Sequence, residues 1–159
     1  MILRIPPKTI DHWVKSLRRA GSRETGGVLF GEHVGEADFR IVEATAQRLG
    51  GGPVAFKRSG DKAQRDLKSL SRRYGDDPSR FNYLGEWHSH PHAPATPSPT
   101  DEVTMYRLLA DPNCDVNFLV LLINRLSDAG TLELSARTYL ATGQKLACDV
   151  RLEPAEATS

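Results

Sequence analysis

Two histidines one residue apart, His88 and His90, end an apolar stretch that is closed by Pro91. On a β-strand, side chains alternate between faces, so both imidazoles point the same way and can reach one ion. Pro91 stops the strand, and a proline-rich loop leads to Ser98-Pro99-Thr100-Asp101. Those four residues have the layout of a helix start, with Ser as N-cap, Pro at the first helical position and Asp in the first turn. The loop could bring Asp101 round as a third ligand. Two histidines, one carboxylate and a water make a catalytic zinc centre, because structural zinc sites are closed by four protein ligands. Glu86 lies on the same strand face as His88 and His90 and is placed to hold an imidazole N–H from behind.

The full set resembles the signature of the JAB/MPN+/JAMM metallopeptidases: an upstream glutamate, H-[ST]-H-P, seven residues after the second histidine, then S-x-x-D. The glutamate that matches is Glu24, in Glu24-Thr25-Gly26-Gly27. The motifs anchor residues 24–101, and the order of elements extends the resemblance over residues 2–152. It implies one Zn2+ per chain on His88, His90 and Asp101, with Glu24 as proton shuttle and Ser98 as donor to the developing oxyanion. The chemistry implied is amide hydrolysis without a covalent intermediate. Glu86 is the rival for the Glu24 role, and Ser98 has a second reading as a helix cap alone.

The fold implied is the JAB/MPN domain, an α/β sandwich similar to cytidine deaminases, with a mixed, curved sheet and helices on both sides. One such domain would cover residues 1–153, with a frayed tail at 154–159. Deaminase chemistry itself is excluded, since it needs H-x-E followed by P-C-x-x-C and neither occurs. Family members divide into peptidases acting after the C-terminus of ubiquitin-like proteins and scaffolds that lack the metal set. With every ligand position filled, the peptidase branch is implied. The compact size, the Glu24-Thr25-Gly26-Gly27 opening and Gly85-Glu86-Trp87-His88-Ser89-His90-Pro91 look most like the stand-alone prokaryotic JAB proteins of ubiquitin-like conjugation and antiphage operons. The implied partners are a ubiquitin-like protein or its conjugate and ligase-like enzymes encoded nearby. Sulfur-carrier processing and a non-catalytic interaction module are the alternatives. A DNA-associated relative of the RadC type would resemble H-N-H-P, whereas Ser89 stands between these histidines.

Composition agrees with an ordinary globular chain. The 159 residues are 39% hydrophobic and 26% charged, enough to bury a core without staples. A net charge of +1 gives no reason to expect nucleic acid or an anionic membrane as partner. No apolar run is long enough to span a bilayer, and the N-terminus lacks a signal layout. With Cys114 and Cys148 alone there is no disulfide framework, so a cytoplasmic location is the expectation.

The elements that must position these residues can be read in order. Residues 1–5 form an edge strand, and Ile10, Trp13, Val14 and Leu17 mark a helix over 9–20, with His12 on its surface. Residues 24–31 form a strand whose Gly26 and Gly27 allow close approach by a neighbouring strand or by an extended substrate peptide. A turn at 32–36 leads to a return strand at 38–45. Residues 49–53 look flexible, and a short strand follows at 54–56. A helix over 61–74 carries a basic face of Lys62, Arg65, Lys68, Arg72 and Arg73. The metal-bearing strand spans 81–90, with a central strand at 114–124 and further strands at 131–139 and 146–152. His92 reads as a solvent-facing loop residue, and both cysteines as buried apolar groups.

Overall fold

The computed structural model describes residues 1–47 and 60–155 of the chain. The expected flexible segment at 49–53, the short strand at 54–56 and residues 156–159 of the tail lie outside them. The described elements run β1 (Ile2–Ile5), α1 (Pro7–Ala20), β2 (Gly26–Gly35), β3 (Asp38–Ala44), α2 (Gly60–Arg73), β4 (Phe81–Ser89) and α3 (Pro99–Leu109). They continue with β5 (Phe118–Leu126), β6 (Leu132–Leu140), β7 (Lys145–Ala147) and β8 (Asp149–Leu152). The strands form a single mixed sheet in the order β7-β6-β5-β4-β2-β3-β1-β8. Among the described residues no helix is long and apolar enough to cross a membrane.

Strand β4, which carries His88, sits in the middle of the sheet, antiparallel to β2 and parallel to β5. A parallel neighbour needs a crossover, and α3 supplies it. The N-terminus of α3 is thereby delivered to the C-terminal end of β4, the end of a strand where α/β sheets place their ligands. On the other side of the sheet, α1 packs Trp13 and Leu17 against Leu29, Trp87, Val120 and Leu122. The Trp13 and Trp87 rings lie 5.7 Å apart and both are fully buried. Apolar burial of this kind contributes roughly 25 cal/mol per Å2 and is the main force holding α1 in place. α2 covers Val28, Phe30 and Val42, and α3 covers Leu119, Leu121 and Ile123. Helices therefore cover both faces, which is why the run from Leu119 to Ile123 is apolar without alternation.

Several boundaries differ from the sequence reading for physical reasons. β1 is not an edge strand, because β8 pairs with it in parallel and takes the edge position. The strand expected at 146–152 is broken at Cys148: β7 pairs with β6, while β8 pairs with β1 at the opposite end of the sheet. The sheet curves far enough for one residue to bridge its two ends, and the Cys148 N–H still bonds the Ala136 carbonyl. β2 runs on through Gly35, so the expected turn at 32–36 shrinks to Glu36 and Ala37, the latter with φ 50°. His12 is half-buried rather than on the surface, its ring edge-on to Trp87 at 6.4 Å.

A bulge in β4 keeps the polar residues of that strand on one face. Leu29 pairs with Gly85 and Phe30 with Tyr83, leaving Leu84 unpaired between them. Tyr83 and Glu86, three apart, thus share the α2/α3 face, while Leu84 and Trp87 share the α1 face. Gly85 holds the bulge at φ +144°, where a Cβ would strike the backbone of Val120. Gly85→Ala should therefore cost about 3 kcal/mol or more, through overpacking and backbone strain together. Gly143→Ala, at φ +87° with open space around it, should cost only about 1–2 kcal/mol. Urea titrations of the two variants check the difference; equal losses would remove the role given to the bulge.

Candidate metal centre and active site

His88 and His90 project from the end of β4, 9% and 8% exposed. Asp101 arrives from α3, where Ser98 and Asp101 form a capping box: Ser98 N donates to Asp101 Oδ2 at 2.7 Å, and Asp101 N donates to Ser98 Oγ at 3.2 Å. Pro99 occupies the first helical position, and Asp101 in the first turn complements the helix dipole. The helix start expected from sequence is present, and the cap aims the Asp101 carboxylate at the imidazoles.

Three ligand-bearing side chains converge. His88 Nε2 lies 3.1 Å from His90 Nε2 and 3.2 Å from Asp101 Oδ1, and His90 Nε2 lies 3.4 Å from Asp101 Oδ2. Donors about 2.0–2.1 Å from a tetrahedral metal stand roughly 3.3 Å from one another, close to each of these separations, and one ligand atom from each of the three residues lies within 4.8 Å of the other two, a spacing that could hold one ion. The proton inventory points the same way. His90 Nδ1 faces the Pro94 carbonyl at 3.1 Å, and a carbonyl can only accept, so Nδ1 carries a proton. The neutral ring then has its lone pair on Nε2, facing a carboxylate oxygen. Two acceptors in contact require a cation between them, either a second proton or a metal ion. The His90 pKa moves accordingly: the Asp101 carboxylate raises it against the opposing effect of burial, with smaller upward effects from Pro94 and Glu24. Burial pushes the Asp101 carboxyl up, but hydrogen bonds from His88, His90 and Ser98 outweigh it and hold the group well below the usual carboxylate range. Asp101 is thus ionised and ready to ligate.

The sheet register brings Glu24 to this group. Gly26 pairs with His88, and Thr25 pairs with Ser89 through Ser89 N to Thr25 O at 2.8 Å. Glu24, two residues before the strand, lies near enough to this group for its charge to raise the His90 pKa. Ser89 is the [ST] of the H-[ST]-H-P pattern and sets it apart from H-N-H-P; its buried hydroxyl accepts from Thr25 N at 3.0 Å and fixes the residue next to Glu24. Thr25 Oγ1 in turn donates to the Gln47 carbonyl at 3.0 Å. Neither Ser89 nor Gln47 carries a sequence signal for this role, because the partners are 64 and 22 residues away.

The proline-rich loop is pinned as well. Ser135 Oγ donates to the Ala95 carbonyl and Arg125 Nη1 to the Ala93 carbonyl, tying it to β6 and β5. Pro94 is thereby held where its carbonyl meets His90. Glu86 is buried on the imidazole face and accepts from Tyr83 Oη at 3.1 Å. His92 is exposed, as expected of a loop residue, whereas Cys114 and Cys148 are half-buried rather than the buried groups expected. Gly26 and Gly27 serve strand packing, since a Cβ on Gly26 would strike Trp87 and His88 and one on Gly27 would strike Thr45. The expectation that a substrate tail adds beside β2 is corrected here: β4 occupies one edge of that strand and β3 with its 45–47 extension the other.

The sequence pattern that describes prokaryotic homologs of the JAB domain matches residues 6–137. A protein of Enterobacter hormaechei subsp. hoffmannii (strain UCI 50), named a CD-NTase/cGAS isopeptidase, is 32% identical over 135 residues, which cover 83% of this chain and 72% of that protein. The fold is similar to the solution structure of a protein from Desulfitobacterium hafniense, with a TM-score of 0.69 at 24% identity over 98% of this chain and 96% of that one. A Salinibacter ruber protein is similar with a TM-score of 0.55 at 18% identity, covering 98% and 95% of the two chains. With the family pattern matched over most of its length, the chain belongs to the prokaryotic JAB family.

Proposed function

We propose that this chain is a zinc-dependent peptidase or isopeptidase that hydrolyses the amide after the C-terminus of a ubiquitin-like protein or its conjugate. The observation that carries this reading is the convergence of His88, His90 and Asp101, whose donor atoms lie within 4.8 Å of one another, beside the carboxylate-bearing start of β2. The isopeptidase name of the Enterobacter relative supports deconjugation, and the CD-NTase/cGAS in that name supports a conjugate as substrate. Zinc held by His88, His90 and Asp101 would supply Lewis acidity, lowering the pKa of water toward about 7 and polarising a carbonyl.

The chain's own residues do the remaining work. Glu24 takes a proton from the attacking water and returns it to the nitrogen as the C–N bond breaks. Ser98 Oγ accepts from Asp101 N, which leaves its own O–H free to donate to the carbonyl oxygen as negative charge develops there. The Pro94 carbonyl holds the His90 tautomer, and the capping box holds Asp101. Glu86, with Tyr83 at its back, supports the imidazole face from within the sheet.

Three measurements test this reading. Purified protein should contain close to one zinc per chain by elemental analysis, and His88→Ala with His90→Ala should empty the site; undiminished zinc in that variant would exclude the ligand set. Glu24→Gln should keep zinc and the folding transition while hydrolysis of a ubiquitin-like fusion falls by roughly a hundredfold or more. Activity retained in Glu24→Gln but lost in Glu86→Gln, with zinc bound in both, would show that Glu86 is the shuttle. Ser98→Ala should lower stability by about 1 kcal/mol through loss of the cap. If Ser98 also serves the oxyanion, kcat should drop by roughly a hundredfold or more; an unchanged kcat would leave it a cap alone.

A further inference from the structure

The loop after His90 is fastened at three successive carbonyls. The Ala93 carbonyl accepts from Arg125 Nη1 on β5 at 3.3 Å, and the Ala95 carbonyl accepts from Ser135 Oγ on β6. Between them, the Pro94 carbonyl takes two donors, His90 Nδ1 at 3.1 Å and Thr96 N at 2.8 Å. The second of these closes a three-residue turn centred on Ala95. Both lone pairs of the Pro94 oxygen are thereby used, so its direction is set by the turn as well as by the ring. The Ala95 carbonyl is the next group along that turn, and the Ser135 hydroxyl holds it. The Ala95 methyl packs against the cluster of Met105, Leu121 and Ile123. Apolar contact therefore seats the loop, while the hydroxyl orients its backbone.

We propose that Ser135 is a positioning residue for His90, acting through the Ala95 turn and the Pro94 carbonyl to keep the His90 lone pair on Nε2, and so setting how tightly the metal is held. The inference rests on the reading of His88, His90 and Asp101 as metal ligands, and extends it to a residue two strands away in the sheet. A neutral imidazole carries one proton, and the partner of each nitrogen decides which of them holds it. His90 has an acceptor on both sides, the Pro94 carbonyl at Nδ1 and the Asp101 carboxylate at Nε2. A Pro94 carbonyl that swings away lets the proton move to Nε2 and donate to Asp101, which blocks the nitrogen a metal needs. Metal-binding histidines depend on such a partner for both tautomer and ring orientation. In this chain the partner is a loop carbonyl, and it takes its fixed direction from β6 through one hydroxyl.

The test measures zinc affinity of the full chain by competition with a chromophoric chelator, and solvent exchange of the His90 Nδ1 proton by NMR of the zinc-loaded protein. Ser135→Ala should weaken zinc binding by about tenfold, the low end for loss of an outer partner, and should speed that exchange. Ser135→Thr keeps the hydroxyl and should restore both. Tyr106→Phe is the control for stability alone. It removes a bond of the same kind, from Tyr106 Oη to the Gly143 carbonyl at 2.9 Å, toward the other end of α3, and should move neither readout. Unchanged zinc affinity in Ser135→Ala, an equal loss in Tyr106→Phe, or no recovery in Ser135→Thr would each overturn the proposal. Hydrolysis of a ubiquitin-like fusion, followed in parallel, separates this inference from the reading beneath it. Weaker zinc binding in Ser135→Ala, with no hydrolysis by the unsubstituted chain, would keep the positioning role and remove the peptidase reading. Hydrolysis by the unsubstituted chain, with zinc held equally tightly in the variant, would do the reverse.

Discussion

A side chain at position 26 would need the space held by the Trp87 carbonyl and the His88 Cβ, and one at position 27 would need that of the Thr45 carbonyl. Only glycine lets β2 lie this close to β4 on one side and to the 45–47 stretch on the other. The register that follows, Gly26 opposite His88, determines where Glu24 stands relative to the imidazoles. A one-residue slip would turn Glu24 to the other face, toward the apolar layer that contains Trp13 and Trp87. The Ser89 hydroxyl guards against this by accepting from Thr25 N, a bond that exists in one register only.

The parts of the site that sequence made legible are those whose geometry is local. A period of two put His88 and His90 on one face, and the S-x-x-D pattern placed Asp101 in the first helical turn, both without reference to distant chain. The same locality explains why the helices α1 and α2 were close to their expected limits. What sequence did not reveal depends on partners far away along the chain. β1 is short and apolar whether it lies at an edge or inside, and only the parallel pairing of β8 decides the matter. The break at Cys148 reflects the curvature of the whole sheet, and no residue near it signals a change of partner. The length of β2 was hidden because Glu32 and His33 are polar; they are accommodated by Arg80, which pairs with Glu32, and by Phe39, stacked on His33 at 5.0 Å. Pro94 and Gln47 act on the site through their own backbone groups, and Ser89 through a hydroxyl bonded to a distant backbone N–H, partners that residue type alone does not encode.

The Asp101 carboxylate serves two structures at once. One oxygen closes the capping box with Ser98 N and also faces His90; the other faces His88. A carboxylate has about four lone-pair directions, so it can satisfy a cap and an ion together. The capping bond does not compete with ligation but restricts the rotamer from which ligation occurs, so the ordering entropy of the side chain is met on folding rather than on binding. α3 must itself be fixed for this to work. Glu102, the next residue, does so by pairing with Arg137 on β6 and Lys145 on β7. Lys145 and then Arg137 hold the Glu102 carboxyl below its ordinary range, which favours the ionised form that makes these pairs. Two adjacent carboxylates in one helical turn thus divide the labour: Glu102 ties the helix to the sheet, and Asp101 points into the site from a helix that cannot turn away.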